Sequence, residues 1–332
     1  MINEAMLKAW ALEAGFKDCA LCDPYVFEAE RAMVEAQPKL KERGQLRFDP
    51  LADAPQTKSL AVLLWPYDQA DYPNDGSVFV DSYYSASNRA YHAARALEKR
   101  LTDAGIFAKA NVSYPAKSAA IRAGLGFVAR NGLLFTEAYG TRVVIILMAT
   151  GVACESSMHE CTAKDCIACG RCYRACPSGA LTKEGMTSPE RCLRNYMMEG
   201  VVVPPALRNQ MGMRLIGCDM CQRVCPMQPV SDRKSQESFT LEEFMTEDAS
   251  AFSLAVTRLG EEIGRNAARP QRVRAQAALL AGNAGSEAFL PVLNQWTESE
   301  FEAVKEHALW AIQRIRAAKN LNDGLDLNDK TI

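Results

Sequence analysis

The chain has 332 residues, of which 48% are apolar and 23% charged, and its formal net charge is -2. Such a composition belongs to a globular protein with room for two or three domains, and it excludes a strongly basic nucleic-acid coat or an acidic disordered chain. The longest apolar run, Val143 to Ala149, has 7 residues, far below the roughly 18 to 20 that cross a bilayer. The opening MINEAMLKAW lacks the basic and apolar regions of a secretory signal, so a cytoplasmic protein with no membrane partner is expected.

Residues 1–150 read as a mixed α/β (α+β) domain. Ser59 to Trp65 and Arg142 to Ala149 are short β-branched or Leu-rich runs bounded by Pro or Gly, the pattern of buried strands of one central sheet. Asn88 to Asp103 carries apolar residues at helical spacing and stops before Gly105, a C-cap. Phe107 to Val112 suits a further strand. Ala116 to Ala123 suits a helix that ends at the Gly124-Leu125-Gly126 turn.

Residues 151–235 form a second module, with little continuous periodicity and 10 of the 12 cysteines. In a reducing compartment such a surplus points to metal ligation rather than disulfides. Cys166-x2-Cys169-x2-Cys172-x3-Cys176-Pro177 is the bacterial ferredoxin run, in which three thiolates cap one cubane and the fourth points to another. Cys218-x2-Cys221-x3-Cys225-Pro226 repeats it without its first cysteine, which Cys192 can supply. Cross-ligation then assigns Cys166, Cys169, Cys172 and Cys225 to one [4Fe-4S] cluster and Cys176, Cys192, Cys218 and Cys221 to the other. Tetrahedral zinc is the alternative, and the third cysteine at x2 and the two Cys-Pro pairs argue against it. Cys19, Cys22, Cys154 and Cys161, with His159, are left over: small buried side chains, or a third metal site.

Residues 236–318 turn helical. Arg272 to Ala281, Ser286 to Trp296 and Glu300 to Ile315 read as amphipathic helices joined by turns at Gly282-Asn283 and Thr297-Glu298, an α-helical repeat domain; residues 319–332 form a polar, frayed tail. Arg265, Arg269, Arg272 and Arg274 fall within eleven residues that contain no acid, a candidate grip on tRNA phosphates. Neither GxGxxG opening a βαβ unit nor GxxxxGK[ST] is present, so electrons are expected from an external donor of the ferredoxin or flavodoxin type.

Over nearly its whole length the chain resembles the epoxyqueuosine reductase family. The resemblance rests on WPY at Trp65 to Tyr67, YYSASNRAYH at Tyr83 to His92, AGLGFVARN at Ala123 to Asn131, GCDMCQRVCP at Gly217 to Pro226, the order of the cysteine runs around Cys192, and AGN at Ala281 to Asn283. It implies an iron-sulfur and cobalamin (corrinoid) reductase that deoxygenates epoxyqueuosine in tRNA, with the corrinoid in the first domain and no histidine beneath its cobalt. It also implies that Gly124, Gly126, Arg130 and Asn131 approach the corrin. The family's proton-donating aspartate has no counterpart in Ala110 to Pro115, and Ala129-Arg130 stands where a Gly-Lys pair is typical. Tyr114 is the candidate replacement acid, as in the related reductive dehalogenases, and Lys117 the candidate group that lowers its pKa or binds an anionic substrate. Two alternatives stand beside this: a paralogous corrinoid reductase of a small molecule, suggested by the missing aspartate and the substituted lysine, and a non-catalytic double-cluster electron carrier.

Overall fold

The computed structural model describes residues 2–37, 46–72, 77–155, 165–186, 188–230 and 238–328. It divides into two compact units, one drawn from Met1–Asp68, Ala86–Cys169 and Cys225–Ser231, the other from Gln69–Ser85, Gly170–Val224 and Asp232–Ile332.

The first unit is built on a four-stranded sheet in the order Asp18–Cys22, Ser59–Pro66, Val143–Thr150, Ala108–Ala110, every neighbour antiparallel. The predicted mixed α and β class therefore takes the α+β form. Leu60 to Leu64 are fully buried because the central strand is covered on both faces, which is why it reads as an unbroken apolar run. Full burial of each large side chain there stabilises by about 2 kcal/mol. The expected strand Phe107 to Val112 is only Ala108–Ala110. It stops because Asn111 turns the backbone left-handed at φ 58°. The predicted helix over 88–103 starts earlier, at Ser82, and runs to Asp103. Its end is a Schellman cap: Gly105 at φ 76°, the Gly105 N–H on Thr102 O and the Ile106 N–H on Leu101 O. Ala116–Arg122 ends the same way at Gly124, with the Gly124 N–H on Ile121 O and the Leu125 N–H on Ala120 O.

The second unit has an apolar core contributed by the Leu193–Glu199, Ala249–Ile263, Pro270–Ala284, Leu290–Trp296 and Glu302–Asn328 helices, with Gln276 and His307 buried among them. Two features differ from the sequence reading. Gly282-Asn283 is not a turn: the helix continues to Ala284 and is capped by Gly285 at φ 72°. Gly282 is small for packing, since a Cβ there would lie 2.6 Å from the Trp310 ring, and Asn283 donates to Arg208 O and Gly212 O. The last helix also continues past residue 318, to Asn328, where a frayed tail is expected. Among the described residues, no helix is long and apolar enough to cross a membrane.

Candidate functional site

The two cysteine runs fold alike. In the first, Gly170 at φ 75° opens the short helix Arg171–Ala175, which carries Cys172 and ends at Cys176. In the second, Asp219 opens Met220–Arg223, which carries Cys221 and leads to Cys225. Each cysteine-proline pair ends its helical turn, because proline carries no N–H to continue it. Cys192 is the N-cap of Leu193–Glu199.

Within the second unit, burial pushes the Cys221 thiol well up, and the neighbouring Cys218, Cys192, Cys176 and Cys172 raise it further. Cys218 is pushed up to about 11 by burial, with Cys192 again contributing. Cys192 is likewise raised by burial, with the nearby Arg194 and Asn195 amides acting in the opposite direction. Burial also raises Cys176, yet amide N–H bonds from Leu181, Ser178 and Ala180 outweigh it and leave the thiol below its ordinary value. In the first unit, burial raises Cys225, with Cys166 and Cys169 as its charged neighbours and the Met227 and Gln228 amides opposing. Cys172, Cys176, Cys192 and Cys218 thus lie within electrostatic reach of Cys221 in the second unit, a sulfur-rich chemistry suited to iron-sulfur ligation. Among the described residues, no group of three or more His, Cys, Asp or Glu side chains converges closely enough to hold a single metal ion.

Asp219, which the sequence reading passed over, sits between two of these cysteines and is buried. It accepts from Arg223 Nε at 2.8 Å, Gln69 Nε2 at 3.1 Å and the Tyr72 hydroxyl at 3.3 Å. The Tyr72 hydroxyl accepts in turn from Arg214 Nε at 2.8 Å. Asp81 is also buried and takes the Tyr83 amide at 3.0 Å; burial and the Asp219 charge raise its carboxyl. Gly217 lets the chain pass Asp81, since a Cβ would lie 2.2 Å from that of Asp81. The only sequence signal for this polar nest is the Asp within GCDMC.

In the first unit the candidate residues divide into two groups. Tyr114 is buried, stacks near Phe27, and donates its phenolic proton to Asp53 Oδ2 at 3.0 Å. Burial and then Asp53 raise its pKa. The other carboxylate oxygen of Asp53 binds Arg47 at 2.7 Å. Lys117 is instead brought to the loop holding Arg130 and Asn131: its Nζ donates to Gly132 O at 2.7 Å, and desolvation lowers its pKa. Arg130 is exposed, whereas Asn131 is buried and accepts the Leu133 amide at 3.2 Å, closing the turn. The two glycines have duties within the fold. Gly124 forms the helix cap, and a Cβ on Gly126, at φ 155°, would meet Phe135 O at 2.0 Å. Cys19 and Cys22 lie three residues apart on one strand and so face opposite sides of the sheet; both are buried, each raised to about 12 by desolvation. Desolvation of this kind suits the reading of both as small packing side chains. Cys154 is partly exposed, and Cys161 and His159 lie outside the described residues.

Of the four arginines, Arg265 and Arg269 are exposed before the Pro270–Ala284 helix. Arg272 bonds Asn266 O at 2.9 Å, and Arg274 lies over the Phe252 ring at 4.4 Å.

Comparison with known proteins bears on the whole of this arrangement. Residues 165–228 match the family described as 4Fe-4S double cluster binding domain. The epoxyqueuosine reductase of Bacillus subtilis (strain 168) is 36% identical over 116 residues, 35% of this chain and 30% of that protein. That of Lactococcus garvieae is 29% identical over 210 residues, 59% and 57% of the two chains, and that of Vibrio cholerae 26% over 258 residues, 70% and 69%. The alignments thus span 30% to 57% of the length of the first two relatives. In three dimensions, the crystal structure of selenomethionine-labelled epoxyqueuosine reductase covers 97% of this chain and 94% of its own, with a TM-score of 0.76 at 22% identity. This chain resembles the epoxyqueuosine reductases in sequence and has their fold. A second crystal structure of that enzyme, with an epoxyqueuosine-modified tRNA-Tyr stem loop, gives a TM-score of 0.73 at 23% identity and covers 97% and 93%.

Proposed function

We propose that this chain is an iron-sulfur oxidoreductase that uses two [4Fe-4S] clusters and a corrinoid to remove the epoxide oxygen of epoxyqueuosine in tRNA. The observation that carries the reading is a double-cluster cysteine set inside a fold that matches epoxyqueuosine reductase over 97% of the chain. Cys166, Cys169, Cys172 and Cys225 hold one cluster, and Cys176, Cys192, Cys218 and Cys221 the other. Cys225 has Cys166 and Cys169 as its sulfur neighbours, in keeping with this partition, whereas Cys221 has Cys172 of the other set beside it as well as Cys218, Cys192 and Cys176. Electrons enter from a ferredoxin- or flavodoxin-type donor.

The residues of the first unit suit a corrinoid. Arg130 and Lys117, beside the 129–133 turn, and the unpartnered buried amide of Asn111 are the polar groups available to its periphery. Bound there, a corrinoid supplies a strongly reducing metal centre. The protein's own part is to hold a proton at Tyr114 Oη, to place a cation at Lys117 Nζ, and to offer the exposed Arg265 and Arg269 to phosphates.

The departure at Ala110 to Pro115 favours one second reading, a paralogous reductase of a small molecule with the same cofactors. One experiment separates the two. The protein is purified anaerobically, its iron counted, cobalamin added while the visible spectrum is followed, and deoxygenation of an epoxyqueuosine-containing tRNA stem loop assayed. Binding with turnover supports the first reading; binding without turnover, in a reducing system that drives a related enzyme, leaves the second. An unchanged corrinoid spectrum with no retained cobalt overturns both in favour of an electron carrier.

A further inference from the structure

We infer that Asn111 is a ligand-binding residue, whose side-chain amide donates a hydrogen bond to an uncharged acceptor oxygen of a molecule bound at the 110–117 segment. Two independent observations meet at this residue. Among the described residues only Asn111, at φ 58°, and Ala168, at φ 54°, are non-glycine residues with a left-handed backbone. Ala168 lies inside the Cys166 to Cys169 loop. Among the described residues, Asn111 Nδ2 is also one of four buried side-chain atoms without a hydrogen-bond partner.

The surroundings make that spare donor more telling. The Ala110 amide is bound by Glu98 at 3.1 Å, the Val112 amide by Leu147 O at 3.2 Å, the Ser113 carbonyl by the Arg47 amide at 2.9 Å, and the Tyr114 hydroxyl by Asp53. The segment is therefore pinned on both sides of Asn111, and its strain is held by its neighbours. A left-handed position by itself calls only for glycine, or for asparagine as the next cheapest choice. The amide is what asparagine adds, and leaving it buried and unbonded is costly. An amide carries no acidic proton at neutral pH, so Asn111 orients an oxygen and does not protonate it.

This inference rests on the function proposed above, and its acceptor has two sources: a carboxamide on the corrin periphery or an oxygen of the base being reduced. Asn111→Gly separates the side chain from the backbone, because glycine adopts the same φ without strain. Its melting temperature should equal or exceed that of the wild type. If the corrin supplies the oxygen, anaerobic titration of the cluster-loaded variant with cob(II)alamin gives a Kd raised by about tenfold, the scale of one buried hydrogen bond. If the substrate supplies it, cobalamin affinity is unchanged and KM for the modified stem loop rises by a similar factor. Asn111→Asp, which turns the donor into an acceptor, should lose as much near neutral pH and recover as the carboxyl is protonated. An Asn111→Gly protein that binds cobalamin and turns over like the wild type overturns the inference and leaves the proposed function standing. A wild type that neither retains cobalamin nor reduces the stem loop overturns both.

Discussion

The phenolic oxygen of Tyr114 lies 3.0 Å from Oδ2 of Asp53, so the candidate acid of this chain is tied to a carboxylate 61 positions earlier in sequence. A carboxylate only accepts, and the pair therefore stabilises Tyr114 as the neutral phenol. Asp53→Asn should let Tyr114 ionise at lower pH, seen as an earlier rise of tyrosinate absorbance once the Tyr114→Phe titration is subtracted. If Tyr114 supplies the reaction's proton, Tyr114→Phe abolishes turnover, and Asp53→Asn moves the alkaline limb of the rate profile downward. An Asp53→Asn titration identical to the wild type would show that the contact does not govern the phenol.

This pair also marks where the sequence stops being informative. The strands at Ser59 and Val143, the helix ending at Gly105 and the cysteine runs are legible because each is written in consecutive residues: burial in an apolar run, capping in a glycine, ligation in spacing. Asp53 has no such local signature. Its partner is fixed by how the Pro50–Asp53 turn meets the segment after Ala108–Ala110, a tertiary fact. Gly282 failed as a turn signal for a related reason. Packing against Trp310 selects glycine as strongly as a left-handed turn does, and a single sequence does not tell the two apart.

His307 gives a prediction for pH. Burial lowers its pKa from 6.5 to about 4, while Nε2 accepts the Val203 amide. Because the folded value lies below the unfolded one, the stability held by the neutral ring is complete above about pH 6.5 and is lost as pH falls towards 4. Between neutrality and pH 5 the loss should be about 2 kcal/mol. His307→Gln cannot titrate, so the difference between wild-type and variant denaturation midpoints should shrink on acidification. A pH-independent difference would rule the mechanism out.

The two glycines expected to face a corrin make opposite demands. Gly126→Ala drives a Cβ to 2.0 Å from the Phe135 carbonyl oxygen and forces the backbone apart, so a loss of about 3 kcal/mol or more is expected. Gly124→Ala adds the strain of a left-handed alanine at a helix cap, about 1 kcal/mol. Thermal melts of the two variants, made without cobalamin, should rank in that order. Equal melts, with cobalamin affinity lost in either, would return these glycines to the cofactor.

Cross-ligation makes the sharpest demand on the cysteines, because residues neighbouring in sequence are assigned to different clusters. In the proposed partition Cys192 and Cys221 go with Cys176 and Cys218, and Cys225, only four residues beyond Cys221, goes with Cys166, Cys169 and Cys172. Cys192→Ala and Cys225→Ala should each lower iron and acid-labile sulfide from about eight towards about four per chain. The cluster that survives must differ between them, and low-temperature electron paramagnetic resonance of the dithionite-reduced proteins should give two distinct spectra that add to the wild-type signal, apart from coupling. Cys154→Ala serves as the control: partly exposed and outside both runs, it should leave iron and spectrum intact. Circular dichroism on each variant separates a lost ligand from a lost fold. Two identical residual spectra would refute the partition, and iron falling in Cys154→Ala while Cys192→Ala kept its full complement would move the fourth ligand of the second cluster away from Cys192.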